Sequence, residues 1–587
     1  MPAAAFIARL NHASAAEFVH ELAAVYEDSP WLAQAVVAQR PFASLAALKY
    51  AMQQALMQAE PATQLALICA HPELAGKAAI AGELSAASTA EQSQSGLLHC
   101  SADEYAELLA LNQAYRQRFG FPFILAIKGP AGLGLNRQQI LASLRRRLRH
   151  SKAHEFQEAL QQIGQIANWR LNQLAGFTPT LGQTVLQQAA QLAQVSELST
   201  GLSCTYLSPA HQQTREQLAA WMRAAGLQVQ IDALANVCGR YPSSQPQAKT
   251  LLLGSHYDSV VNAGAYDGRA GILIALAVLA EFQQQQLALP FHLELIAFAE
   301  EEGVRFGATF LGSRGLTGRF DPDLLNLRDA NQQTLALALQ QAGFDASQIP
   351  QLARNPADLL GYLELHIEQG PQLLQQHLPL GIVSAIVGSR RLKIRLRGLA
   401  SHAGTTPMAG RRDAAVAAAE FILAAERIAL RQQIVATVGK LEVPQGAVNV
   451  IPGLCEFTLD LRAADNELRD AAWAELEYEL QKICQRRDCD YEVELLLLAD
   501  AVSCEPAARQ RWATQLQTLG LPAQELLSGA GHDAMELAQL CPVSMLFIRC
   551  WNDGISHHPL ESLSADDADL AAQVLRGYLL GMAISDV

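Results

Sequence analysis

The chain divides by its hydrophobic rhythm. Up to about residue 175 apolar side chains return every three or four positions, which is the spacing of one face of a helix. The pattern runs over residues 6–26, 45–60, 102–118, 137–150 and 154–174, punctuated by Pro30, Pro41, Pro61 and Pro72. No stretch there alternates as a strand does, so the segment reads as an all-α bundle. Residues 175–180, AGFTPT, break the pattern and form a join short enough to keep the two halves close. Beyond it, helical spacing at 183–196 and 211–225 gives way to short apolar runs at 228–231, 251–253 and 291–298, which read as strands. GRAGILIALAVLAEF, directly after Asp267, reads as a buried helix. Strand, polar loop, helix is the α/β arrangement in which ligands sit beyond the carboxyl ends of the strands. Residues 389–498 carry a different pattern. Leu392-Lys393-Ile394-Arg395-Leu396-Arg397 alternates as a one-sided strand does. An Ala-rich helix from Arg411, strands at 434–441 and 455–461, a helix from Asp465 and a strand at 491–498 complete a βαββαβ order, that of a ferredoxin-like layer. The expected architecture is multidomain: a helical domain at 1–175, an α/β domain built from 180–388 and 499–587, and an inserted α+β layer at 389–498.

Composition narrows the partners. The 587 residues exceed what one core accommodates. A formal charge of −14 disfavours nucleic acid as a partner. The first residues lack a basic stretch followed by an apolar one, and no apolar run approaches the ~20 residues that span a bilayer. The ten cysteines are scattered without a CxxC pair and fit buried thiols in a reducing cytoplasm. A cytoplasmic protein with neither membrane nor nucleic-acid partner is expected.

The polar residues at the strand ends carry the chemistry. His256 and Asp258, two apart after the run 251–253, point the same way on extended chain, and Asp267 precedes the buried helix. Taken singly, His256 reads equally well as a loop histidine and Asp267 as a helix cap. Yet Glu300, Glu301 and Glu302 crowd the end of the strand at 291–298, where like charges repel unless a cation is near. His366 follows in an acidic setting, and His557 and His558 lie far along the chain. A His, Asp, Glu, His, His set, each at an element end, is a kit for two divalent cations held by N and O donors. In the helical half, His71-Pro72 reads as a helix start, Ser88 with Glu91 as a capping box, and the aromatic loop 119–124 as core or as a pocket wall.

HPELAGKAA, the S-x-x-E-Q element at Ser88, AYRQRFGFPFI and Arg170 together resemble 2-oxo-4-hydroxy-4-carboxy-5-ureidoimidazoline (OHCU) decarboxylase. The resemblance implies cofactor-free decarboxylation to (S)-allantoin. His71 would be the acid/base, with Glu91 and Arg170 positioning the substrate, and Pro72, Ser88, Gln92, Phe123, Ile124 and Ile127 lining the pocket. The GPAGLG stretch at 129–134 departs from the family and reads as a loop variation away from the chemistry. Residues 180–587 resemble the allantoate amidohydrolase and N-carbamoyl-amino-acid hydrolase family of the two-metal aminoacylase/carboxypeptidase clan. By motif position His256, Asp267, Glu302, His366 and His557 would hold two cations, Zn²⁺ or Mn²⁺, with Asp267 bridging and Asp258 orienting His256; the neighbouring His558 leaves the last assignment open. Glu301 would be the general base. His402, in SHAGTTPM, would polarise the carbonyl in a partner subunit's site, and Gln369, Arg390, Asn449 and Arg462 would bind substrate. In the family the inserted layer is a lid that dimerises. The implied function is bifunctional ureide catabolism on small-molecule substrates. The alternatives are an N-carbamoyl-L-amino-acid or ureidoglycolate hydrolase in the second half, and a non-catalytic interaction module in the first.

Overall fold

In the computed structural model, which describes residues 2–74, 102–130, 132 and 134–585, the first apolar run is two helices rather than one. Ser14 separates α1 (Pro2–His12) from α2 (Ala15–Leu22): its hydroxyl accepts from Glu17 N while the Glu17 carboxylate takes Ser14 N, a reciprocal cap that outcompetes helix continuation. The bundle continues with α3 (Trp31–Val36), α4 (Leu45–Gln58), α5 (Pro61–Ala70), α6 (Ala102–Phe119), α7 (Arg137–Arg147) and α8 (Lys152–Leu174). Its core includes Phe18, Leu48, Ile68, Tyr115, Leu144 and Leu160. The aromatic loop is part of that core: Phe119, Phe121 and Phe123 surround Tyr115. Beneath them the fully buried Arg147 is neutralised by Glu155, 2.8 Å from its Nε, and donates to the Ile124 carbonyl at 2.6 Å.

After the join come α9 (Thr180–Ala193) and α10 (Pro209–Ala224), then the strands β1 (Gln228–Ile231), β2 (Val237–Tyr241), β3 (Thr250–His256), β4 (His292–Phe298), β5 (Leu359–Ile367) and β6 (Leu380–Ile386). The inserted layer contributes β7 (Gly388–Arg397), β8 (Ser401–His402), β9 (Val435–Thr437), β10 (Leu441–Glu442), β11 (Val450–Ile451), β12 (Leu454–Ala463) and β13 (Asp490–Ala499). The chain then returns through β14 (Val502–Ser503), β15 (Glu525–Ser528) and β16 (Val543–Ile548). The main sheet runs β1-β2-β4-β3-β5-β16-β6-β14, with β15 on β6. Its centre, β4, β3, β5 and β16, is parallel, so their carboxyl ends open on one edge. Helices α11 (Arg269–Gln284) and α14 (Ala565–Ser585) pack with α9 in the core on the sheet.

In the insertion the sheet order is β10-β12-β7-β13, with β9 also on β12. Helices α12 (Ala414–Gln432) and α13 (Asn466–Arg487) cover the face made by Leu392, Ile394, Leu396, Phe457, Leu459 and Leu461. The edge strand β13 leaves Leu495 to Leu498 exposed, and α12 exposes Val416, Leu423 and Leu430, spaced seven apart.

The helical unit and the sheet unit touch. Ser44 Oγ donates to Leu519 O, Lys49 Nζ lies 3.1 Å from Asp566, Asn172 Nδ2 donates to Asp566 at 2.9 Å, and Ala565 N donates to Pro130 O at 2.9 Å. Pro130, in the GPAGLG stretch, is therefore at the junction. A cavity of about 660 Å³ lies between the units. Among the described residues no helix is long and apolar enough to cross a membrane, and the nine cysteines are free thiols, all but Cys69 buried.

Candidate active sites

In the helical unit Pro61 starts α5, and the helix ends at Ala70, so His71 is its C-cap and not, as expected, the first residue of a helix. Pro72 and Glu73 follow without helical structure. The His71 ring is buried, and Nδ1 donates to the Leu67 carbonyl at 2.9 Å in the tautomer that leaves the lone pair on Nε2. Burial lowers its pKa, an effect only partly offset by the Leu67 bond and the nearby Glu27, so the neutral imidazole prevails at pH 7. Arg170, on α8, is buried beside it and pairs with Glu27 at 3.0 Å. A pocket joins His71, Pro72, Phe123, Ile124, Ile127 and Arg170, with Lys128 stacked on Trp169 at its rim. Ser88, Glu91 and Gln92 lie outside the described residues. Glu27 was not among the expected site residues; an acid closing an apolar helical run was its signal.

The second site is at the carboxyl edge of the parallel strands. Asp267 is buried between two groups. Its Oδ1 lies 3.7 Å from His256 Nε2 and 3.3 Å from His366 Nε2; its Oδ2 lies 2.9 Å from His557 Nε2, which is itself 3.3 Å from Glu302. Within each of the sets His256–Asp267–His366 and Asp267–Glu302–His557 one donor atom per residue lies within 4.8 Å of the others. His558 instead turns Nδ1 to Leu560 N. Gly268 makes room for this: at φ +64 it follows Asp267, and a Cβ there would come within 2.4 Å of the His256 ring.

The donor chemistry fits cations. His256 directs Nδ1 at Asp258 and Nε2 at Asp267, and His366 donates from Nδ1 to Ile367 O at 2.8 Å, so the His366 Nε2 lone pair faces Asp267. His366 Nε2 is buried with no hydrogen-bond partner. Lone pair against carboxylate oxygen at these separations is repulsive unless a positive centre intervenes. Tetrahedral zinc, with bonds of 2.0–2.2 Å, places its donors roughly 3.3–3.6 Å apart. Burial and the neighbouring Asp267 raise Glu302 to about 7, and the Asp267 hydrogen bond raises His557 to about 9. Burial raises Glu301 well above the usual carboxylate range, and it takes His366 down to about 4. Asp258 accepts from both Glu301 N and Glu302 N at 3.1 Å, so one carboxylate aligns His256 and fixes the acidic turn.

Three further groups were missed. Glu561 accepts from Tyr266 N, Asp267 N and Ser556, bracing the Asp267 loop against the His557 loop. His532 packs edge-on to His366 with ring centres 4.5 Å apart, and Asp533, buried, accepts from Ser313. Their signal was a His-Asp pair in a glycine-rich loop. Gln369 donates to both Asp267 oxygens at 3.0 Å, which puts it at the cluster. Arg462 donates to Gly529 O, linking the insertion to the His532 loop, while Arg390 pairs with Asp470 inside the insertion. His402 and Asn449 are adjacent, Asn449 O accepting from Ala403 N, and both are exposed. Among the described residues no hydrogen bond or ion pair joins either to the Asp267 cluster.

A family model described as OHCU decarboxylase matches residues 11–172, and one described as peptidase family M20/M25/M40 matches residues 249–581. The chain is 38% identical to an N-carbamoyl-L-amino acid amidohydrolase from Geobacillus stearothermophilus, over 67% of this chain and 97% of that protein. It is 36% identical to an allantoate deiminase from Arabidopsis thaliana, over 70% and 85%. Among solved structures, an amidase of the hydantoinase/carbamoylase family from Burkholderia multivorans aligns with a TM-score of 0.65 at 30% identity, covering 69% of this chain and 98% of that one.

Proposed function

Since the chain belongs to peptidase family M20/M25/M40 through residues 249–581 and carries an OHCU decarboxylase domain at residues 11–172, we propose that it catalyses two steps of urate and ureide breakdown. The helical domain decarboxylates OHCU to (S)-allantoin without a cofactor; the larger unit hydrolyses allantoate to ureidoglycine, ammonia and carbon dioxide. The observation that carries the second assignment is Asp267, whose two oxygens face two separate sets of N and O donors.

In the first reaction the C–CO₂ bond breaks and carbon dioxide leaves; the His71 Nε2 lone pair takes up a proton from solvent and passes it to the carbon that lost the carboxylate, which returns the ring to its neutral form. Arg170 and Glu91 hold the substrate, and Pro72, Ser88, Gln92, Phe123, Ile124 and Ile127 form the walls. In the second, two divalent cations, Zn²⁺ or Mn²⁺, held by His256, Asp267, His366, Glu302 and His557 would polarise the ureido carbonyl and lower the pKa of water. Glu301, fixed by Asp258 beside Glu302, takes the water proton and passes it to the leaving nitrogen. Arg462 and Arg390 fork onto the substrate carboxylate, with Asn449 and Gln369 on its polar groups.

The exposed His402 loop is read as acting in the site of a second copy, in a homodimer formed through the inserted ferredoxin-like lid. The exposed leucines of β13 and the Val416–Leu423–Leu430 stripe support that reading. The 38% identity to the Geobacillus enzyme favours a second reading of the hydrolase, with N-carbamoyl-L-amino acids as substrates. Turnover of allantoate, ureidoglycolate and N-carbamoyl amino acids by one preparation separates these; turnover of OHCU by the same preparation tests the first domain. Preference for N-carbamoyl amino acids over allantoate would overturn the allantoate assignment, and failure to turn over OHCU would leave the helical unit a binding module.

A further inference from the structure

Away from both sites, two imidazoles and a carboxylate meet where the helical unit abuts the loop that delivers His557. We propose that His150, His154 and Asp553 form a third divalent-cation site, for an ion of the Zn²⁺ class, clamping the two units together. One nitrogen of each ring and one oxygen of Asp553 lie within 4.8 Å of one another. The rings are stacked, with centres 4.1 Å apart and planes 16° off parallel, an arrangement two imidazolium ions would resist. His154 Nε2 is 2.9 Å from Asp553 Oδ1 across the junction.

The support behind the rings is that of a metal-binding imidazole. Glu155 accepts from His150 Nδ1 at 3.0 Å, and Glu155 is fully buried, held in turn by Arg147 and Tyr115. With Nδ1–H committed to a carboxylate, the His150 lone pair resides on Nε2, and the carboxylate increases its basicity as a ligand. On the other side the backbone is shaped to present the carboxylate. Asn552, Asp553 and Gly554 have φ of 54°, 64° and 73°, a left-handed turn that Asn, Asp and Gly tolerate best. A simple His154–Asp553 ion pair accounts for two of the three groups; it leaves unexplained the second ring stacked on the first and anchored by a buried acid. Two imidazoles and one carboxylate, partly open to solvent, leave a position for water. The consequence is mechanical: a cation there would fasten the turn four residues before His557 to the start of α8.

The test counts ions on the full-length protein. Chelator-stripped protein is equilibrated with Zn²⁺, freed of excess by gel filtration and analysed by plasma mass spectrometry. Wild type should retain one equivalent more than His150→Ala, His154→Ala or Asp553→Asn, with unchanged OHCU-site folding reported by circular dichroism. The same loss of one equivalent on adding His154→Ala should appear in a His256→Ala background, where the Asp267 cluster is already disabled, so the result does not depend on the reading of that cluster. Equal counts in wild type and the three variants would overturn the proposal. So would a deficit that disappears in the His256→Ala background, since the lost ion would then belong to the Asp267 cluster.

Discussion

Acid should weaken the hydrolase unit through His211, and His211→Phe should remove that component. His211 sits in the first turn of α10, fully buried, stacked on Tyr257 at 4.4 Å and edge-on to Tyr206 at 5.3 Å. Neither ring nitrogen has a hydrogen-bond partner. Burial pushes its pKa down to about 3; Asp258 pulls the other way, and Arg215, Arg269 and Arg305 add to the depression. In the unfolded chain the same ring takes a proton near 6.5. A depressed pKa means that the stability is fully present above about 6.5 and is lost as pH falls from there toward 3. Linkage between these two values gives a loss of about 2 kcal/mol at pH 5. For a unit this large, that corresponds to roughly 2–4 °C in Tm. Thermal melts of wild type and His211→Phe between pH 7.5 and 5 isolate the effect, because every other titrating group is common to both. The larger ring shifts the variant's baseline at all pH values, so the quantity to read is the slope of the difference. Parallel curves would refute the reasoning, as would a wild type that gains on the variant in acid. Tyr257, the residue against which His211 stacks, lies between His256 and Asp258, so the loosening would start at the strand end that carries the site.

Chelation should abolish ureide hydrolysis and spare OHCU decarboxylation, while His71→Ala should do the reverse; loss of both activities on chelation would contradict a metal-free first site. Glu301→Gln should retain the bound cations yet lose roughly 100- to 10,000-fold in turnover, whereas Glu302→Gln should lose metal, and plasma mass spectrometry on the two variants would expose a reversed assignment. His402→Ala should cost about 100- to 1000-fold as a lost oxyanion donor. A co-expressed heterodimer of His402→Ala with Glu301→Ala should regain hydrolysis at one of its sites, and a heterodimer as inactive as either parent would place His402 in its own chain's site.

Helical rhythm located α4, α6, α7 and α8 because each buries one stripe against a common core, and the alternation at 392–397 located β7 for the same reason. Rhythm did not see Ser14, where a local capping box overrides an unbroken apolar pattern. Near His71 two prolines compete as the first residue of a helix: Pro61 starts the helix, and Pro72 follows its end. β2 escaped because Val237–Tyr241 is buried almost throughout and includes a glycine and an arginine, so no period-2 signal remains. Part of the Asp267 cluster was legible because His256 and Glu302 stand just past apolar runs and Asp267 just before one. His532 was not, since its contact with His366 is made across 166 positions of sequence and its loop has no periodicity. Nor was the junction: Ser44 meets Leu519 and Lys49 meets Asp566, and such residues look like any solvated helix face until the partner is known.

The geometry of α8 bears on why two such units share a chain. One face of this helix, with Ile166, Trp169 and Arg170, lines the His71 pocket; another, with Gln161, Gly164 and Asn168, lines the cavity between the units. The helix therefore stands as a wall between the first site and the junction. On the proposed reading the chemistry asks for no passage through it. (S)-Allantoin is a cyclic amide, and allantoate is its ring-opened acid, so a hydrolysis must intervene between the two reactions. The first product has to leave for a separate ring-opening activity before its derivative returns to the Asp267 cluster. Direct transfer would gain nothing, and a junction that combines a lysine–aspartate pair and an asparagine–aspartate bond with Ala46 and Tyr50 packed on the sheet unit's core has the mixed character of contacts between neighbouring domains. What the shared chain supplies is equal amounts of two activities flanking a third. It also holds the His557 loop against a folded neighbour, so mutations at the junction should reach the hydrolase before they reach the decarboxylase.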